Sequence, residues 1–157
     1  MNSPLFFAAA FLLGLIGMEG VAWAMHRYLM HGPLWVLHKS HHAPRAGAFE
    51  LNDLFGLVFA GLAIGLFALG ARPGWGAAWW AAAGTTVYGV LYALLHDGLA
   101  HDRWPIKVPA RGGYLTRLKQ AHRLHHAVPT REGAVSFGFL FPADPRRLAQ
   151  RLREQRS

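Results

Sequence analysis

The chain alternates long apolar runs with shorter amphipathic ones. Three runs, 4–25, 54–71 and 73–95, carry a single charge between them, Glu19. A helix rises about 1.5 Å per residue, so even the shortest run covers about 27 Å, close to the thickness of a bilayer core. A soluble bundle needs charged outer faces, and these runs have none. The pattern predicts an all-α integral membrane bundle of about three spans. The first run lacks a basic leader and passes straight into a polar motif, so it reads as a retained span and not as a cleaved signal. A fourth apolar run, 134–141 (AVSFGFLF), is too short to span and is expected as a short or re-entrant segment.

The segments between and after the spans have amphipathic, helical patterns. Within 114–126, Leu115, Leu118, His122, His125 and His126 share a face. Arg117 and Arg123 fall off that face, and Lys119 sits at its edge. Over 33–42, Pro33 suits a first helical position, and Leu34 and Trp35 continue the face of His38, His41 and His42. The tail holds Arg146, Arg147, Arg151, Arg153 and Arg156. It is expected as a solvated helix lying along the membrane surface. The organisation predicted is a membrane domain over 1–142 and a basic cytoplasmic tail over 143–157.

Charge gives this bundle an orientation. The 157 residues are 53% hydrophobic yet carry a net +8. Of the sixteen Lys and Arg residues, all but Arg72 lie in 27–45, 103–131 and 146–156. By the positive-inside rule those segments are cytoplasmic, while Arg72 and the N-terminus face outward. The basic charge then reflects topology and implies no nucleic-acid partner. With no cysteine there is no disulfide framework, no thiolate zinc site and no protein-bound iron–sulfur cluster.

The ten histidines fall into two copies of one two-part pattern. His26 and His31 form an H-x4-H, followed by His38, His41 and His42 as H-x2-H-H. His96 and His101 repeat the first part, and His122, His125 and His126 repeat the second. Residues i, i+3 and i+4 share a helix face, so each H-x2-H-H points one way. An H-x4-H pair lies about 140° apart on an α-helix. Such a pair fits best where a helix ends or unwinds, as Gly32-Pro33 and Trp104-Pro105 suggest. In the three-span arrangement all four clusters meet at one membrane face.

Imidazole suits zinc, copper, iron and nickel. A catalytic zinc takes three protein ligands and a water, so ten histidines are too many for one. They suit two metal ions with four or five ligands each. Haem would want histidines inside the spans. A soluble di-iron bundle would show Glu-x-x-His, which is absent from this sequence. A pair of irons held by histidine at a membrane surface, activating O2 against a lipophilic substrate, is the option that remains.

The motifs HRYLMHG, HKSHH, NDLFGLVFA, VYGVLYALLHDGLAHDRWP and QAHRLHHAV resemble the bacterial non-haem di-iron β-carotene hydroxylases of the membrane fatty-acid-hydroxylase superfamily. The resemblance runs over about 15–142. It implies hydroxylation of β-ionone rings at C3 and C3′, taking β-carotene through cryptoxanthin to zeaxanthin. It also implies two iron ions, O2 as co-substrate, and an external donor such as reduced ferredoxin with its reductase. A bacterial cytoplasmic membrane and a cytoplasmic-facing site go with it. The sequence agrees on the donor, having neither a G-x-G-x-x-G nor a cysteine. Two other classes stay open. One is a related membrane oxygenase or desaturase acting on fatty acyl, sterol or ketolated carotenoid substrates. The other is a non-enzymatic metal carrier.

Several further residues have two readings each. Asp97 and Asp102 follow ligand histidines, and either accept their N–H groups or stand solvated at a helix end. Asn52 and Asp53 either approach the metals or cap the second span, capping being favoured. Glu19, a charge inside a span, either backs a metal ligand or makes a buried hydrogen bond to Thr85, Thr86 or Tyr88. Gly61, Gly65 and the run 81–84 either line a polyene groove or, as favoured, allow close helix packing. The six tryptophans read mostly as interfacial anchors. Arg117, Lys119 and Arg123, turned from the ligand face, are candidates for docking an acidic electron donor.

Overall fold

The computed structural model describes residues 3–44, 47–105 and 109–155. Arg45, Lys107 and Arg156, counted above among the basic residues, lie outside them. The described residues form helices and loops with no strand. Helix α1 (Pro4–Ala24) starts at Pro4, with Ser3 Oγ accepting the Phe6 amide at 3.3 Å. It continues without a break into a widened π-helical turn, Met25–Met30. After a short turn comes α2 (Trp35–His42). Helices α3 (Asp53–Gly70) and α4 (Gly76–Tyr92) form a hairpin, and α4 likewise runs on into a π turn, Ala93–Ala100. Two helices follow, α5 (Gly113–His126) and α6 (Pro145–Glu154).

Three continuous helices, Pro4–Met30, Asp53–Gly70 and Gly76–Ala100, are long and apolar enough to cross a membrane. The first and third lie parallel. Phe7 meets Trp80 at 6.3 Å between ring centroids, Gly14 meets the Ala81 backbone, and Glu19 meets Tyr88. A Cβ on Gly14 would collide with the Ala81 carbonyl, and one on Gly84 with the Phe11 carbonyl, so these two glycines set the close approach of α1 and α4. Because the two helices run the same way, both H-x4-H pairs emerge at one end of the bundle.

The packing reading therefore holds within 81–84. It fails for Gly61 and Gly65, where an added Cβ would meet nothing within 4 Å. Neither lines a groove. Helix α3 leans on α4 and turns the rest of its surface outward, with Leu57 69% and Ile64 67% exposed.

Two small cores hold the polar end together. Leu99, Leu118 and Phe139 bury one face of α5 against the end of α4. On the other side, Ala121 and Val135 pack on Leu148 and Leu152 of α6. The tail is thus no freely solvated helix. Asp144 caps it through the Arg146 amide, and its apolar stripe closes the back of α5. The run 134–141 forms neither helix nor strand; it is an irregular segment beside the histidines, with Ser136 in the left-handed region at φ 62°. Helix α2 also differs from expectation, beginning at Trp35 with Pro33 in the preceding turn.

Candidate metal centre

The two π turns explain how an H-x4-H can work. Their hydrogen bonds span five residues: His31 N–H donates to the His26 carbonyl at 3.0 Å, and His101 N–H to the His96 carbonyl at 3.0 Å. A π turn returns to the same face after five residues, where an α turn needs between three and four. The side chains that an α-helix would splay apart therefore point together. Both helices do end straight afterwards, as the glycine and proline signals suggested.

The histidines collect into two groups. His26, His31, His38, His42 and His125 form one, and His41, His96, His101 and His122 the other; within each group one ring nitrogen per residue lies within 4.8 Å of all the others. The helix faces read from the sequence are only partly shared. His38 and His42 of α2 serve the first group while His41 serves the second, so α2 passes between them. Likewise α5 sends His125 one way and His122 the other. His126 lies outside both groups, its ring 4.7 Å from His41, 4.8 Å from His101 and 4.5 Å from His122 of the second, and stacked at 4.5 Å on His42 of the first. Its Nε2 is the one buried side-chain nitrogen or oxygen without a hydrogen-bond partner among the described residues.

The Nδ1 atoms explain why the Nε2 atoms face inward. In the first group, His26 Nδ1 donates to the Phe137 carbonyl at 2.9 Å, His31 to Arg131 at 2.8 Å, His42 to Val128 at 3.0 Å and His125 to Val135 at 2.9 Å. A carbonyl only accepts, so each of these rings carries its proton on Nδ1. His38 Nδ1 lies 2.7 Å from Asn52 Oδ1. In the second group, His41 Nδ1 is 3.0 Å from Glu50 Oε2, and His96 Nδ1 2.8 Å from Asp97 Oδ1.

The lone pairs on Nε2 are then left facing one another. His31 and His125 approach Nε2 to Nε2 at 3.2 Å, and His41 and His96 at 3.1 Å. With Nδ1 protonated in a neutral ring, no hydrogen bond forms between such atoms. Protonation would relieve the clash, but burial opposes it. Burial holds His38 down at about 2, His42 at about 4 and His101 at about 3, and holds His122 and His125 well below the ordinary range. Neighbouring imidazoles push the same way. Glu50, by contrast, is lowered chiefly by its hydrogen bond with His41, which keeps it an acceptor. Neutral buried imidazoles with converging lone pairs, and an orphaned Nε2 beside them, fit two divalent cations.

The remaining candidates separate clearly. Asp97 takes the acceptor role behind His96. Asp102 instead pairs with Lys119 Nζ at 3.0 Å, tying the end of α4 to α5 and engaging one of the three proposed docking cations. Asn52 makes no side-chain cap on α3 and turns to His38, against the favoured reading. Asp53 binds Arg103 through two contacts of 2.8 Å. Glu19 bonds Tyr88, one of its three expected partners, and touches no histidine in the hydrogen-bond network. Sequence reasoning missed Glu50 and all four carbonyls. Glu50 had a signal, as the one acidic residue between α2 and Asn52; a carbonyl has none.

Above the histidines, between α1, α3 and α4, lies a cavity of about 850 Å³. His26, His38, His41, His96 and His122 close one end of it. Met18, Ala63, Phe67 and Tyr92 line its apolar walls, and exposed Leu57, Ile64 and Val90 form a lateral mouth among the membrane-length helices. Phe137 and Phe139 stand beside the two groups, Phe137 against His26, His31 and His125, and Phe139 against His96 and His122. A smaller cavity of about 350 Å³, lined by Glu50, Arg103 and Arg123, reaches His41, His101 and His122 of the second group and His42 of the first.

Three apolar helices of membrane length and two clusters of inward-facing imidazoles define a membrane metalloprotein with an apolar pocket at its metal site. The chain belongs to the fatty acid hydroxylase family, whose model matches residues 11–144. It is 56% identical to the β-carotene hydroxylase of Pseudescherichia vulneris over 92% of this chain and 81% of that one. To the β-carotene hydroxylase of Pantoea ananas it is 52% identical over 90% of this chain and 80% of that one. It is also 47% identical to the chloroplastic β-carotene 3-hydroxylase 1 of Arabidopsis thaliana, over 71% of this chain and 37% of that one. No solved structure matches the chain.

Proposed function

We propose that the protein hydroxylates carotenoid β-ionone rings at C3 and C3′, converting β-carotene through cryptoxanthin to zeaxanthin. The observation that carries this reading is the apolar cavity that ends on both histidine groups. Its volume lies within the range of about 300–1,000 Å³ common to small-molecule sites. The names of the bacterial relatives point to the same substrate.

In this proposal His26, His31, His38, His42 and His125 hold one iron. His41, His96, His101, His122 and His126 hold the other. When bound, the irons supply the activation of O2. The chain does the rest. The carbonyls of Val128, Arg131, Val135 and Phe137, with Asn52, Glu50 and Asp97, fix the direction of seven of the ten rings. The apolar walls admit the ring of the substrate from the lipid side, and Phe137 and Phe139 keep water from the reacting end. One oxygen atom enters the C–H bond and the other leaves as water, which needs an electron pair and protons from outside.

Those electrons come, on this reading, from reduced ferredoxin served by its reductase. The site faces the cytoplasm across a bacterial inner membrane, as the basic residues on that side support. Arg117 and Arg123 are exposed and are the better docking cations; Lys119 is already paired with Asp102.

The test is expression in cells that accumulate β-carotene, with chromatography of the pigments. Cryptoxanthin and zeaxanthin are expected. Unchanged β-carotene alongside hydroxylated fatty acyl, sterol or ketocarotenoid products would move the protein to a related oxygenase. No oxidised product at all, from protein that binds metal, would favour a carrier. In membranes supplied with ferredoxin, turnover at limiting donor should fall as salt rises.

A further inference from the structure

Glu19 is the one charged side chain inside α1, and it is buried, 8% exposed. A charge at that depth is costly and asks for a reason. Its carboxylate gathers three donors. Tyr88 O–H donates to Oε2 at 2.8 Å from α4. The Phe139 amide donates to Oε1 at 2.7 Å, and the Phe141 amide to the same atom at 3.3 Å. Those two amides belong to a segment outside any helix or strand. Between them and α5, the same stretch of chain presents the carbonyls of Val128, Arg131, Val135 and Phe137 to His42, His31, His125 and His26. Gly138 lies so close that a Cβ there would stand 3.0 Å from Glu19 Oε1.

We propose that Glu19 is a positioning residue: by holding the amides of Phe139 and Phe141, it fixes the segment whose carbonyls orient four of the five histidines of the first group. The second group takes no Nδ1 partner from this segment. Through these carbonyls Glu19 acts chiefly on the first metal site, from within the membrane span, while the Phe139 ring packs on His96 and His122 of the second. Tyr88 holds the second oxygen and keeps the first turned toward the segment. The proposal rests on the metal reading given above, and its experiment separates the two.

The experiment compares purified full-length wild type with Glu19→Leu, Glu19→Gln and Tyr88→Phe. It reads amide hydrogen exchange over 135–141, both as purified and after chelation, together with iron per chain. Glu19→Leu should lose about tenfold in protection there while peptides of the α3–α4 hairpin stay unchanged. Its iron should fall from about two per chain toward about one. Glu19→Gln keeps an oxygen to accept both amides and should retain protection and iron. Tyr88→Phe should fall between. Wild-type protection and iron in Glu19→Leu would overturn the proposal, and so would a Glu19→Gln that fails as badly as the leucine.

Should Glu19→Leu not accumulate in membranes, Gly138→Val tests the same contact with the span left intact. It should show the same selective loss, and a wild-type pattern in it would overturn the proposal. Wild-type protein without any metal would overturn the functional reading, while exchange in the chelated samples would still decide the role of Glu19.

Discussion

Main-chain carbonyls orient four of the five histidines in the first group, whereas carboxylates orient two of the four in the second. His26, His31, His42 and His125 donate to carbonyls and His38 faces an amide, so the first group is backed by neutral acceptors. His41 and His96 donate to Glu50 and Asp97, two anions that share the neighbourhood of Arg103. An imidazole that donates to a carboxylate is the stronger electron donor to its metal. The second site should bind metal more tightly and favour its more oxidised state, and the first should be the more easily emptied. Two sites made of one residue type are thereby made unequal by what stands behind them.

The most severe way to break this comparison is to remove ligands from one side. The double variant His31→Ala/His125→Ala should lose the first site and keep the second. His96→Ala/His122→Ala should do the reverse. Each should hold about one iron per chain and lose turnover by more than about a hundredfold. Metal analysis beside an activity assay checks both. Two irons retained in either variant would mean that the groups are not separate sites.

A gentler change sharpens it. Glu50→Gln and Asp97→Asn should each weaken the second site by about 10–100-fold in metal affinity, read by chelator competition. Asn52→Asp should move the first site the other way, by giving His38 an anionic acceptor. If all three variants weaken binding alike, the acceptors only hold shape and their charge is without consequence.

The smallest effect concerns acidity and belongs to both groups. In stripped protein, His42 is held at about 4 and His101 at about 3, against an ordinary 6.5 when unfolded. Between 6.5 and those values the unfolded chain binds more protons than the folded one, so stability falls as pH falls through that window. Thermal unfolding of the metal-free protein should therefore shift down by several degrees between pH 7 and pH 5. A flat profile would mean that the imidazoles are not buried neutral.

Much of this was legible in the residues, and the reasons differ from place to place. The three spans were legible because a bilayer demands unbroken apolar length. The two H-x2-H-H clusters were legible as helical, though α2 and α5 each split theirs between the two groups. The H-x4-H spacing signalled a departure from α geometry, which the structure resolves as a π turn followed by a helix end. Asn52 was misjudged because capping and ligand support draw on the same side chain, and only the fold decides between them. The packing role of Leu148 and Leu152 was not legible in a basic tail, because only α5 beside them gives their stripe a partner. The accepting carbonyls of Val128, Arg131, Val135 and Phe137 were beyond reach, since every residue carries one.

The parallel lie of α1 and α4 has a consequence for how the protein is made. Synthesis runs from the N-terminus, and His26, His31, His38, His41 and His42 leave the ribosome long before their partners. A chain halted before Gly113 would already hold seven of its ten histidines, yet it would lack His125 for one group and His122 for the other. Neither group can close until the third long helix is threaded beside the first and α5 has followed it. Completion of both histidine groups is thus a late event in synthesis, set by the arrival of α5.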